Sequence, residues 1–222
     1  AIFTFTLIDG TDFQAMLNVN HPTYLIRAPR STGDVFLDYL VLGVRHIWGG
    51  LDHLLFVFGL LLLIAGPRRL LWTITAFTLG HSVTLALATL GVIQYPVDLI
   101  EVLIAISVFT LAVTLTSKNQ ERLLWRSPGW LAAGFGLLHG MGFAGALLEI
   151  GLPSKNLLLA LFSFNAGIEV GQILFIVAFL LPWHYLKKRS SRRFGVARWA
   201  SIYLLGSLAA YWTVERSVIA FG

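Results

Sequence analysis

The chain has 222 residues and a formal net charge of +5; 57% of its residues are hydrophobic, only 12% are charged, and the mean hydropathy is +0.78. Soluble domains carry about 25% charged residues, so the composition predicts an integral membrane protein and excludes a soluble globular one. The Lys and Arg residues lie in loops beside apolar segments, so we expect no nucleic-acid partner, and the absence of cysteine excludes disulfides and thiolate metal ligands.

Residues 1–34 differ from the rest of the chain. Residues 1–13 alternate loosely between apolar and polar side chains and predict a strand, followed by turn-like stretches at 18–22 and 28–33. They carry no initiator Met, basic n-region or small-residue cleavage motif, so we do not interpret them as a signal peptide.

We therefore predict two units. Residues 1–34 form an extracytoplasmic lead-in or the tail of a β-rich external domain, and 35–222 form a transmembrane domain. A short lead-in that packs on the outer face of the first span is the alternative. Residues 34–40 are expected to form an interfacial helix that leads into this span.

Six apolar segments, each near the roughly 20 residues that cross a bilayer core, predict an all-α polytopic membrane protein. They are 41–65, 70–93, 97–117, 129–150, 156–183 and 197–219. Lys and Arg cluster after the first, third and fifth segments, whereas the opposite loops contain only Lys155. By the positive-inside rule, both termini lie outside the cytoplasm.

Several ionisable residues lie inside these apolar segments. They are Asp52 and His53 in the first, His81 in the second, His139 in the fourth and Glu169 in the fifth. A charge or an unpaired imidazole costs several kcal/mol at bilayer depth, so such groups usually face one another, a cavity or an ion. Imidazole and carboxylate ligands suit nickel, cobalt or zinc, which predicts a metal site inside the membrane.

Depth along the helices supports one shared site. Counted from the cytoplasmic ends of their spans, His53, His81 and His139 lie twelve, eleven and ten residues deep. At 1.5 Å per residue these depths are about 15–18 Å, near the middle of a core about 30 Å thick. Three separately satisfied histidines are the alternative.

His46 precedes His53 by seven residues, so the two lie on nearly one face of a straight helix, about 10.5 Å apart along its axis. One ion cannot contact both unless Gly49 and Gly50 let the helix unwind. Interrupted helices of this kind build transport sites at membrane depth. We therefore count His46 among the predicted ligands.

Further polar residues suggest a path from the outside to the midplane. We assign them to the pathway or to the surroundings of the ligands: Glu101, Glu149, Asn165, Gln172 and Ser82. Ser82 has an ordinary alternative, a hydrogen bond to its own helix backbone. The glycines at 134–136, 140–145 and 167–171 more often permit close helix packing than ion binding. Arg45 is expected to snorkel or to pair with Asp52 or Glu101.

The segment 43–55 reads GVRHIWGGLDHLL, in which His46 is followed by five residues and then Asp52-His53. This H-x5-DH pattern resembles the HupE/UreJ family of membrane proteins and is similar in style to the H-x4-DH of nickel/cobalt permeases. Three more segments resemble later blocks of the same family, so the resemblance covers residues of about 35–220. They are FTLGHSVTLALATLGV (77–92), LLHGMGFAGALLEIGLP (137–153) and FNAGIEVGQ (164–172).

The resemblance implies a six-helix permease for Ni²⁺ or Co²⁺ that serves hydrogenase or urease maturation, in the inner (plasma) membrane of a bacterium. By motif position, His46, Asp52 and His53 form the signature of the first block. His139 and Glu149 fall in the His-Gly…Glu block.

The chain departs from the hydrogenase-associated branch of the family at one point. That branch has a second histidine after the His-Gly pair, where this chain has Met-Gly-Phe at 141–143. The long N-terminal segment instead resembles the branch with an added external domain.

Two functions of different classes follow from the same residues. In the first, external carboxylates attract a divalent cation that passes inward to the histidines, with Glu169 as a ligand or neighbour of the site. In the second, an intramembrane zinc hydrolase holds Zn²⁺ on His53, His81 and His139, with Asp52 or Glu169 as general base. A sensor or structural subunit is a third reading. The expected partners are the lipid bilayer and the cation, and a homo-oligomer is left open.

Overall fold

The computed structural model describes the backbone of 2–6 and 12–16 and the residues 31–116, 127–150, 153 and 156–222, without the side chains of 146 and 148–150. The predicted pathway residue Glu149 therefore has a side chain outside the described part. At the N-terminus, β1 (Ile2–Thr6) and β2 (Asp12–Met16) pair antiparallel. The single strand predicted for residues 1–13 is therefore two paired strands, of which β2 continues beyond the predicted range; residues 7–11 lie outside the described part.

Seven helices make up most of the remaining described chain. They are α1 (Thr32–Gly49), α2 (Leu51–Leu63), α3 (Pro67–Thr89), α4 (Val97–Thr116), α5 (Pro128–Ile150), α6 (Leu157–Arg189) and α7 (Ser191–Phe221). Among the described residues the chain is therefore almost entirely helical outside the paired strands β1 and β2, as the sequence predicts.

The first helix starts earlier than predicted. Ser31 and Asp34 form a capping box, in which the Ser31 hydroxyl accepts a hydrogen bond from the backbone N–H of Asp34 at 3.2 Å and the Asp34 carboxylate accepts one from the backbone N–H of Ser31. This box satisfies backbone donors that a helix start otherwise leaves free. Because no proline interrupts the helix before Gly49, residues 34–40 are part of α1 and form no separate interfacial helix.

Length and hydropathy allow fewer membrane crossings than the sequence predicts. Within the described residues, α3, α4 and α6 are each long and apolar enough to cross a membrane. The pair α1–α2 meets the same requirement together but is bent by 76°, so these helices give up to four crossings. Helix α7 is not among them and carries Glu215 and Arg216; α5 ends in residues with undescribed side chains. Six spans remain a prediction.

The outer helix faces are covered with exposed apolar side chains. Leu79, Phe162 and Leu204 are each more than half exposed, and many other large hydrophobic residues are exposed with them. Helices satisfy their own backbone hydrogen bonds, which a membrane interior requires. Long apolar helices with apolar outer faces identify an integral membrane protein.

The helices pack in three long pairs, α1 with α6, α3 with α5, and α4 with α7, while α2 contacts α1, α3, α4, α6 and α7. Glycines permit the closest approaches. A Cβ on Gly136 would overlap the Phe77 carbonyl oxygen across the α3–α5 pair. A Cβ on Gly167 would overlap the Leu40 carbonyl oxygen across the α1–α6 pair. The packing role is confirmed at these positions, whereas Gly134 has no atom within 4 Å of an added Cβ.

Two buried apolar clusters divide the core into two levels. On α3, Phe77 belongs to the first cluster and Leu85 to the second, and His81 lies one turn from each. On α5, Ala132 belongs to the first cluster and Ala144 to the second, with His139 between them in sequence. The fold therefore places a polar layer between two apolar ones.

Candidate metal centre

The break between α1 and α2 is centred on Gly50, whose φ of −88° and ψ of 98° are extended rather than helical. The Gly50 N–H still donates to the His46 carbonyl oxygen at 2.9 Å, so α1 is closed normally before the chain turns. The 76° bend brings the imidazole centroids of His46 and His53 to 4.6 Å. A straight helix would separate the two residues by about 10.5 Å along its axis.

Four imidazoles from four different helices lie together at this break. The ring centroids of His53 and His139 are 4.8 Å apart, and those of His53 and His81 are 6.0 Å apart. The ring of His46 is 5.8 Å from that of His81. We call His46, His53, His81 and His139 the histidine cluster; all except the half-buried His46 are buried. The histidines that the sequence places at one depth are neighbours.

Asp52 fixes the orientation of the His53 ring. Its Oδ1 accepts hydrogen bonds from the backbone N–H of His53 at 2.8 Å and from the ring Nδ1–H at 2.9 Å. An ionised carboxylate only accepts, so Nδ1 carries the proton and Nε2 keeps its lone pair. Nε2 is buried without a hydrogen-bond partner among the described residues. This is how a carboxylate orients a metal-binding histidine.

Ser107 on α4 fixes the His139 ring in a similar way. The Ser107 hydroxyl donates to the Ile104 carbonyl oxygen at 2.7 Å, which uses its only proton. The same oxygen therefore accepts from Nε2–H of His139, at 3.3 Å. That leaves the lone pair on Nδ1, which is buried and unpartnered within the described chain. Sequence reasoning missed Ser107, for which a hydroxyl inside an apolar span is the only signal.

Unpartnered ring nitrogens characterise the whole cluster. Among the described residues, neither nitrogen of His81 has a hydrogen-bond partner, and His46 Nε2 also lacks one. An unsatisfied buried polar group costs about 1–3 kcal/mol, so several in one place indicate a ligand or a functional role. The described side chains contain no group of three or more His, Asp or Glu placed to hold one ion. The rings are therefore neighbours that must turn to coordinate a cation together.

A cavity of about 360 Å³ opens beside the cluster. It is lined by Arg45, His46, Gly49, Gly50, Asp52, His53, Glu101, Ile104, His139, Gly142, Phe143 and Arg216. Of the predicted pathway residues, Glu101 lies here together with Asp52. His81 does not line the cavity, but its ring lies close to those of His46 and His53.

Arg216 on α7 contacts both carboxylates of the cavity. Its Nη2 lies 3.7 Å from Asp52 Oδ2, and its Nε lies 3.8 Å from Glu101 Oε2. Its Nη1 donates a hydrogen bond to the Glu101 carbonyl oxygen at 3.1 Å. Sequence reasoning missed Arg216 and considered Arg45 as the partner of these carboxylates. The missed signal was an arginine inside an otherwise apolar last segment.

The predicted residues Glu169 and Gln172 lie at a separate contact between α6 and α3. The Glu169 carboxylate accepts a hydrogen bond from the Thr75 hydroxyl at 2.5 Å. The Gln172 side-chain oxygen accepts one from Thr78 at 3.1 Å. Neither residue lines the cavity. The role of Glu169 as a ligand stays a prediction.

Asn165 and Ser82 also lie outside the cavity lining. The Asn165 amide donates to the Leu161 carbonyl oxygen at 2.7 Å, while its Oδ1 is buried and unpartnered among the described residues. The Ser82 hydroxyl donates to the Thr78 carbonyl oxygen of its own helix at 2.7 Å. This hydrogen bond to its own helix backbone is the alternative role that the sequence suggests for Ser82.

Comparison with protein-family models gives a match over most of the chain. No curated protein sequence and no solved structure matches the chain. The family model described as HupE / UreJ protein matches residues 22–216, a range that contains the broken helix, the histidine cluster and Arg216. With nearly the whole sequence matched, the chain belongs to the HupE/UreJ family.

Proposed function

We propose that this protein transports a divalent transition-metal cation, Ni²⁺ or Co²⁺, across the membrane through the histidine cluster. The observation that carries the proposal is the meeting of four imidazoles at a broken helix, with unpartnered buried nitrogens on each ring. Neutral imidazole is a good ligand for borderline cations such as these. Membership of the HupE/UreJ family supports nickel or cobalt as the transported ion.

The proposed topology has six crossings, with α1 and α2 forming one interrupted span. Positively charged side chains follow α2, α4 and α6 in the sequence, and the positive-inside rule then places both termini outside the cytoplasm of a bacterial inner (plasma) membrane. Under this orientation, the cavity faces the outside.

The cation enters the cavity at the carboxylates of Asp52 and Glu101, which also attract it electrostatically. It then moves to His46, His53 and His139 and onward to His81, which neighbours His53 and does not line the cavity. Turning of the rings assembles the coordination shell. The extended backbone at Gly50 resembles the interrupted helices that line transport sites at membrane depth.

An intramembrane zinc hydrolase is the alternative, because three buried imidazoles beside a cavity also suit catalytic zinc. Such an enzyme needs a general base near the metal-bound water. Asp52 is engaged by His53 and Arg216, and Glu169 accepts from Thr75 away from the cavity lining. The engagement of both expected bases favours transport.

The test measures metal binding and transport with the same variants. We expect detergent-purified protein to bind Co²⁺ and Ni²⁺ exchangeably, and reconstituted protein to carry them into vesicles. His53→Ala and His139→Ala should abolish both properties. His184→Ala is the matched control, because His184 is exposed and lies outside the cluster. Tightly held, non-exchanging zinc would support the hydrolase, and folded wild-type protein without metal binding would contradict both functions.

A further inference from the structure

The cavity through which a cation would enter already contains a cationic side chain between its two carboxylates. Arg216 reaches Asp52 and Glu101 at 3.7 and 3.8 Å. Both distances exceed the 2.7–3.2 Å of a normal N–H···O hydrogen bond. The guanidinium is held at 3.1 Å by the main-chain carbonyl of Glu101. Arg216 therefore compensates both carboxylates electrostatically without being locked onto either.

A divalent cation at the same carboxylates would lie within a few ångströms of this guanidinium. Arginine stays protonated in proteins, so it cannot relieve the repulsion by losing its proton. The side chains of Arg216 and Asp52 are only 21% and 19% exposed, so solvent screens the repulsion incompletely. The two cations cannot share the carboxylates at low energy.

We propose that Arg216 is a displaceable counter-cation, which competes with the transported ion for Asp52 and Glu101. The inference rests on the proposed function and adds how the entrance is regulated. An arriving divalent cation displaces the guanidinium, and the guanidinium returns as the cation moves on to the histidines. Its return lowers the affinity of the entrance for the ion that has just left, which opposes backward movement.

An aromatic ring lies beside the guanidinium of Arg216. Trp212 lies one turn before Arg216 on α7, and its ring centroid is 5.9 Å from the guanidinium carbon. A cation over an indole ring is stabilised by about 0.5–1 kcal/mol at exposed sites. The guanidinium already makes this contact in the structure, so it can keep the contact with Trp212 when a cation takes its place at the carboxylates.

The test is Co²⁺ titration of the full-length protein in detergent, comparing wild type with Arg216→Gln. Loss of a competitor should tighten Co²⁺ binding by about tenfold, because a like charge at the binding carboxylates is removed. Arg216→Lys keeps the charge and should stay within about threefold of wild type. A purely structural role for Arg216 predicts the opposite sign, because its loss would then weaken binding.

Arg45→Gln is the matched control, since it removes the same charge from the same cavity. Among the described residues Arg45 has no ion pair, so we expect a change of no more than about threefold. Equal tightening in both variants would overturn displacement in favour of a general charge effect. Unchanged or weaker binding by Arg216→Gln, with normal wild-type binding, would overturn the role of Arg216 and leave transport intact. Absence of Co²⁺ binding in both proteins would overturn both proposals.

A second measurement needs no variant and covers the case in which Arg216→Gln fails to fold. Phenylglyoxal modifies free guanidinium groups, and mass spectrometry reads its attachment at Arg216. Saturating Co²⁺ should speed modification of Arg216 in the wild-type protein, because the displaced side chain leaves its carboxylates. A slower or unchanged rate, in protein that binds Co²⁺, would contradict displacement.

Discussion

Single side chains decide which ring nitrogens are available to a cation. The carboxylate of Asp52 holds the proton of His53 on Nδ1, and the hydroxyl of Ser107 holds that of His139 on Nε2. The two rings therefore use different nitrogens, Nε2 in one and Nδ1 in the other, and both are buried and unpartnered within the described chain. Neighbours that orient a ligand commonly matter for metal affinity nearly as much as the ligand itself.

The role of Ser107 is tested by Ser107→Ala. The variant removes the acceptor that orients His139, so the ring can turn and change tautomer. We expect Co²⁺ affinity to fall by about tenfold, measured by calorimetric titration. Thr110→Ala on the same helix is the control, because the Thr110 hydroxyl bonds only its own helix at Ile106. Equal affinities in the two variants would show that Ser107 does not orient the ring.

At the scale of helices, the Gly49-Gly50 pair builds the site by interrupting one of them. An added Cβ at Gly50 would lie 2.7 Å from His53 Nδ1 and 3.2 Å from Asp52 Oδ1, whereas one at Gly49 would meet no atom within 4 Å. The backbone at Gly50 needs no positive φ, so the space for the Asp52 and His53 side chains makes glycine necessary there.

This difference predicts unequal effects of two adjacent substitutions. Gly50→Ala should push the Asp52 and His53 side chains apart and weaken Co²⁺ binding by about tenfold, since it disturbs the orienting hydrogen bond. Gly49→Ala should leave affinity near the wild-type value. The measurement is Co²⁺ titration of both variants, together with their melting temperatures. A larger loss of affinity in Gly49→Ala would contradict this account.

Helix pairing supplies a second comparison at this scale. A Cβ at Gly136 would overlap the Phe77 carbonyl oxygen, while Gly134, on the same helix, faces open space. We expect Gly136→Ala to lower stability by about 1–3 kcal/mol through overpacking. Gly134→Ala should be neutral or stabilising by up to about 1 kcal/mol, because alanine favours the helix. Thermal unfolding in detergent measures both, and an equal response would contradict the close α3–α5 contact.

At the scale of the whole molecule, the proposed orientation depends on charge rather than on shape. The described residues give three single-helix candidates for a span and one bent pair, and the distribution of Lys and Arg supports the proposed orientation. The basic residues in the last turn of α6 and the first turn of α7 lie on one side of the membrane in the six-span arrangement, and the uncharged segment 93–96 between α3 and α4 lies on the other.

Cysteine labelling tests this arrangement without background, because the chain contains no cysteine. In intact cells, a membrane-impermeant maleimide should label Gln94→Cys, which is exposed and lies outside the cytoplasm in the proposed orientation. It should label Lys188→Cys, also exposed, only after the membrane is permeabilised. The reverse pattern would invert the orientation, and labelling of both in intact cells would contradict an odd number of crossings between them.

The membrane class, the helical fold, the family and the histidines of the cluster could all be predicted from the amino-acid sequence. These are local properties, because hydropathy, helix period and motif spacing are read within one segment. The sequence also indicated that Gly49 and Gly50 would have to interrupt the first span if His46 and His53 were to meet. The bend at Gly50 brings their rings to 4.6 Å.

The residues that complete the site from distant parts of the chain could not be predicted in this way. Arg216 meets Glu101 across 115 positions of sequence, and Ser107 meets His139 across 32. In the structure, Glu169 accepts a hydrogen bond from Thr75 and does not line the cavity, although the sequence predicts it as a ligand or neighbour of the site. Depth follows from counting residues along one helix. The direction in which a side chain faces depends on how several helices pack, which no single segment contains.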